Sequence, residues 1–229
     1  MTDQNEPSPV NPLPPVVVAL FLALVLVEAV FMLGARGIIG GPGAIGWRAS
    51  AMQDYGFSPG LFRWMLESGQ FPLDHLKRFV TYPFVHGTFT HALFAGVILL
   101  AMGKFVGEVF RQWAVLVVFF GSAIGAAVIY GLVPAERPLL IGAFPGVYGL
   151  IGGFTYLMWL RLGELGANQL RAFSLIGVLM AIQLLFAVLF GGDGTWIADV
   201  AGFAFGFLIS FVVSPGGWLK IRLWLQSRR

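Results

Sequence analysis

Cysteine is absent from the 229 residues, which excludes disulfides, thiolate metal sites and cysteine nucleophiles together. Charge is scarce as well: Asp, Glu, Lys and Arg make up 11% of the chain against 58% hydrophobic residues, a balance far outside soluble globular usage. Missing too is the zinc-helix pattern H-E-x-x-H. The two histidines of the run Thr81-Tyr82-Pro83-Phe84-Val85-His86-Gly87-Thr88-Phe89-Thr90-His91 stand five apart, which on one helix places them about 140° apart around the axis. No metal ion and no cofactor are expected on these grounds.

What the chain does have is apolar length. A membrane span needs roughly 20 mainly apolar residues. The sequence offers such stretches from Pro15 to Leu33, Phe79 to Gly103, Trp113 to Val133, Leu139 to Leu160, Leu170 to Phe190 and Trp196 to Val213. An all-α, six-span membrane bundle is therefore expected. It covers residues 14–214, between a polar, disordered tail at 1–13 and a basic cytoplasmic tail at 215–229. The first run is too long for a signal peptide and lacks a basic region before it, so it reads as a retained anchor.

Lys104 and Arg111 follow the second run, Arg161 and Arg171 the fourth, and Lys220, Arg222, Arg228 and Arg229 the sixth, which sets both termini in the cytoplasm. A bacterial inner membrane is the expected location. The net charge of +3 sits largely in the tail, where it favours anionic lipid headgroups and gives no reason to expect nucleic acid.

Between the first two runs, residues 34–78 are too polar to cross. Trp47, Tyr55, Phe57, Leu61, Phe62, Trp64, Met65 and Leu66 alternate there with Arg48, Asp54, Arg63 and Glu67. Such a segment lies in the headgroup interface or packs as an ordinary loop. Glycines four apart, at 121 and 125, 142 and 146, 149 and 153, 202 and 206, let helices approach closely.

Three short motifs resemble the rhomboid family of intramembrane serine proteases. The family's His-x-x-x-x-His-x-x-x-Asn is matched by His86, His91 and Ala95. Its Gly-x-Ser-Gly is matched by Gly142, Ala143, Phe144 and Pro145, and its sixth-span His ahead of Gly-x-x-x-Gly by Asp199, Gly202 and Gly206. The resemblance implies a six-helix rhomboid body with a long first loop and a serine–histidine dyad. Phenylalanine stands at the nucleophile position and aspartate at the base position, however. Ala95 lacks the amide that would steady the oxyanion, only His91 of that pair remains, and Pro145 has no backbone N–H. Ser174 and Ser210 lie outside any dyad pattern.

The resemblance further implies that Tyr148 packs against residue 199, so Asp199, Tyr148 and His91 are expected either to cluster or to leave Asp199 solvated at a helix end near Asp193. Glu28, a second acid in an apolar run, faces a neighbouring helix or the interface near Arg36. Together these residues imply a catalytically inactive pseudoprotease that binds transmembrane helices of client proteins or serves as an accessory subunit of a membrane complex. An active serine-type endopeptidase is the alternative the family label implies, and a proton-coupled transporter is the third reading.

Overall fold

The computed structural model describes residues 12–134, 136–190 and 192–215. The basic tail from residue 216 on, with its expected lipid contacts, and most of the leading polar tail lie outside the described residues. In chain order the helices are α1 (Pro15–Ala35), α2 (Trp47–Tyr55), α3 (Pro59–Ser68), α4 (Leu73–Leu76), α5 (Arg78–Thr81), α6 (Phe89–Gly107), α7 (Gln112–Leu132), α8 (Phe144–Glu164), α9 (Ser174–Phe190) and α10 (Trp196–Val213). Among the described residues the only β pairing is an isolated bridge between Phe57 and Leu140.

Four of these helices, α1, α6, α7 and α10, are long and apolar enough to cross a bilayer. The remaining long helix, α8, is the inner post of the bundle, with every residue from Pro145 to Gly153 buried. A helix enclosed by protein needs closeness more than lipid affinity, which accounts for glycine and tyrosine where the outer helices carry valine and leucine. A methyl group on Gly202 would run into the Pro145 carbonyl, and one on Gly206 into that of Gly149. The backbones of α8 and α10 therefore meet directly, as small residues four apart permit.

The second apolar run begins crossing ten residues later than its composition suggests. Pro83 cannot donate to a helix ladder, and the chain makes a 3-10 turn at Tyr82–Phe84 before it becomes extended at Val85. The long helix then starts under the Thr88 cap, whose side chain accepts the His91 N–H at 3.1 Å. His86 thus precedes α6, and His91 sits in its first turn. The fifth run likewise opens with a 3-10 turn at Gln169–Phe173, which leaves 17 residues in α9.

Residues 34–78 pack onto the bundle with one aromatic row and expose another. Phe57, Phe62 and Met65 are buried, joining Phe79 and Tyr82 against Ala123, Ala126 and Ala127 of α7. Tyr55, Trp64 and Leu66 point outward.

Glu28 lies on the inward stripe of α1, and its partner is Arg48 of α2 rather than Arg36. The guanidinium holds both carboxylate oxygens, at 2.6 and 2.8 Å, and also donates to the His86 carbonyl at 2.8 Å. The reason is positional: Arg36 caps the exposed end of α1 two turns beyond Glu28, while the turn at Gly40–Gly46 folds α2 back alongside it.

Candidate functional site

The start of α8 is held by three segments far apart in the chain. Phe57 and Leu140 exchange both backbone hydrogen bonds, at 2.9 and 2.8 Å, and the Gly142 N–H reaches the Tyr82 carbonyl at 2.9 Å. Gly142 has φ of 92°, and a side chain there would strike the His91 ring, so only glycine suits the position. Helix α8 begins at Phe144, and Pro145 occupies a first-turn position where a backbone N–H has no helical partner to lose.

His86 and His91, remote from each other on a single ideal helix, converge because the chain turns between them. Their rings stand edge to face with centroids 5.1 Å apart. The Ala143 N–H donates to His86 Nε2 at 3.2 Å, so His86 fastens the turn before α8. The Phe144 ring stacks on His91, 5.2 Å between centroids and 14° between planes. Ala95 lies one turn further along α6, fully buried in a core of aliphatic and aromatic side chains.

Burial first, and the neighbouring His91 second, push the His86 imidazole down to about 3. Its Nε2 lone pair is the acceptor for Ala143, so protonation there removes a hydrogen bond that fixes the α8 turn. The folded state resists a proton that the unfolded chain takes up at about 6.5. Stability from this group is therefore complete above pH 6.5 and declines as pH falls from there toward 3. Thermal unfolding in detergent is expected to show that slope, and His86→Gln is expected to flatten it.

Asp199, in the first turn of α10, is 6% exposed. Its hydrogen-bond partner is Gln183 of α9, whose Nε2 donates to Oδ2 at 2.6 Å. Of the expected cluster, Tyr148 is buried with its ring 6.5 Å from that of Phe144, and it makes no hydrogen bond to Asp199 or His91. His91 and Asp199 nonetheless line one recess, and the solvated alternative fails because Asp199 is buried. That recess, about 400 Å³, is bounded by Met52, His91, Phe144, Pro145, Asp193 and Asp199 among others. Gly146 packs on the Phe119 ring.

Arg48 and Gln183 escaped the reading by motif. Each had a visible signal: Glu28 needed a cation, and Gln183 is the one amide in the apolar run Leu170–Phe190.

A bundle whose outer helices are apolar over a bilayer's thickness, with a polar recess at the end of its innermost helix, defines an integral membrane protein with an embedded site. The chain belongs to the rhomboid family: the family's Rhomboid domain matches residues 73–216. A search of curated proteins found no match.

Proposed function

We propose that this protein is a rhomboid pseudoprotease, a catalytically inactive member that binds transmembrane helices of client proteins or serves a larger membrane complex as a fixed subunit. The observation that carries the reading is Phe144. It takes the first position of α8, where the resemblance puts the serine, and its ring lies flat on His91. A phenyl ring offers no nucleophile, and one stacked on an imidazole fills space that a hydrolytic water would need. Asp199 at the base position has a glutamine partner and no hydroxyl to activate.

In this proposal six helices cross, with α8 and α9 as the fourth and fifth spans. The 21 residues of α8 reach about 32 Å and the 17 of α9 about 26 Å. Both termini lie in the cytoplasm of a bacterium, and residues 34–78 rest in the outer interface. The distribution of Lys and Arg supports that orientation.

A fluorophosphonate probe separates this reading from active proteolysis. Wild-type protein in gentle detergent is expected to remain unlabelled while a membrane partner co-purifies with it reproducibly. Stoichiometric labelling, or cleavage of a model transmembrane substrate, would overturn the proposal.

A further inference from the structure

The recess at the head of α8 carries two aspartates, Asp193 and Asp199, beside the His91 imidazole and the Thr195 hydroxyl. Asp199 gives one oxygen to Gln183, and its other oxygen takes no hydrogen bond among the described residues. Asp193, on the opposite rim, receives the Thr195 N–H and hydroxyl on Oδ1 and is otherwise exposed. Arg137, on the loop beside the recess, donates to the Gly194 carbonyl at 3.3 Å and lies over the Tyr130 ring, and it forms no ion pair with either aspartate. Apart from the His91 imidazole, the remaining walls are largely hydrocarbon and ring: Met52, Leu139, Ile141, Phe144 and Pro145. A carboxylate buried in apolar surroundings carries a cost unless a partner reaches it. The missing complement is a group with several donors, a positive charge and an aliphatic stem.

We propose that this recess receives the ammonium or guanidinium of a lysine or arginine carried near the extracytoplasmic end of a client's transmembrane helix, with Asp199 as its counter-ion and Asp193 at the rim. The inference rests on the client-binding reading above and specifies the client's chemistry. An ammonium brings three donors and a guanidinium five, enough to meet the second Asp199 oxygen and a rim carboxylate together. About 400 Å³ accommodates either side chain with its stem against Met52 and Leu139. Position supplies the selectivity. Asp199 stands four residues into α10, near the outer end of that span in the proposed topology. Cations in membrane proteins concentrate on the cytoplasmic side. A lysine at the outer end therefore marks a minority of helices, and a receptor for that mark discriminates without reading the rest of the span.

The test uses the full chain in proteoliposomes, with a photo-cross-linking amino acid at Leu139 and three synthetic single-span Leu/Ala helices as probes. One carries a lysine three residues inside its outer end, one carries it at the inner end, and one has none. The outer-lysine helix is expected to be captured roughly tenfold more than the other two, the scale of a polar interhelical contact in lipid. Asp199→Asn, which preserves shape and an acceptor for Gln183, is expected to bring capture down to the control level with the unfolding temperature unchanged. Should that variant fail to fold, Met52→Lys places a competing ammonium at the mouth and is expected to reduce capture of the outer-lysine helix alone. Equal capture of all three helices by wild type overturns this inference and leaves client binding standing. Capture of none overturns both.

Discussion

Arg48→Ala is expected to lower the unfolding free energy by about 3 kcal/mol, the low end of what removing one partner of a buried ion pair costs, because the Arg48 side chain keeps 24% exposure. The loss is large for one reason: Glu28 remains. Its carboxylate sits on the inward face of α1, 5% exposed, and the Arg48 guanidinium donates to both of its oxygens. The His86 carbonyl loses its donor at the same time. Since His86 Nε2 holds the Ala143 N–H, the disturbance is expected to reach the α8 turn and loosen the stacking of Phe144 on His91. A double-mutant cycle apportions the effect. Glu28→Leu with Arg48→Met removes both charges and is expected to recover most of the loss, since well-packed apolar replacements of buried pairs are often neutral. Denaturant unfolding in detergent reads all four corners, and strict additivity of the two single variants would refute the coupling.

The same pair illustrates what could be read from sequence. Apolar run length gave the long helices, because the bilayer's thickness is a constraint each crossing segment must meet alone. Glycine spacing gave the tight seam between α8 and α10, because nothing larger fits where the Pro145 and Gly149 carbonyls approach. What escaped were the relations set by turns. A spacing of five sets the histidines apart on one helix, whereas the break at Pro83 and the cap at Thr88 bring their rings together. For Glu28 the sequence leaves open a neighbouring helix or the interface near Arg36, and a turn of glycines decides it by bringing Arg48 of α2 back to the carboxylate. A single amide in an apolar helix belongs to no motif, and only the closed chain shows Asp199 as the acceptor of Gln183. Local composition encodes which segments are helical and how closely they pack. The partner of a lone polar group is a property of the closed chain.

Restoring the two dyad residues is expected to yield a hydroxyl without an efficient protease. Phe144→Ser with Asp199→His should permit slow fluorophosphonate labelling, since a serine at the start of α8 and an imidazole on α10 face the same recess. Cleavage of a transmembrane substrate is expected to stay on the order of 10²- to 10³-fold below that of a quadruple variant that also carries Ala95→Asn and Pro145→Gly, because one oxyanion donor alone contributes that factor. The quadruple variant faces an opposing cost. Ala95 is fully buried in the hydrophobic core, and the larger amide must force its neighbours apart at about 1 to 3 kcal/mol. Pro145→Gly frees a first-turn residue of α8 that proline now holds in a helical φ, and loosens the segment whose carbonyl meets Gly202. Activity and stability are thus expected to move in opposite directions along the series from wild type to double to quadruple variant, and unfolding temperature measured beside cleavage rate tests it. If the double variant already matches the quadruple one in rate, Ala95 and Pro145 are neutral to the chemistry and the degeneration of the site is confined to Phe144 and Asp199.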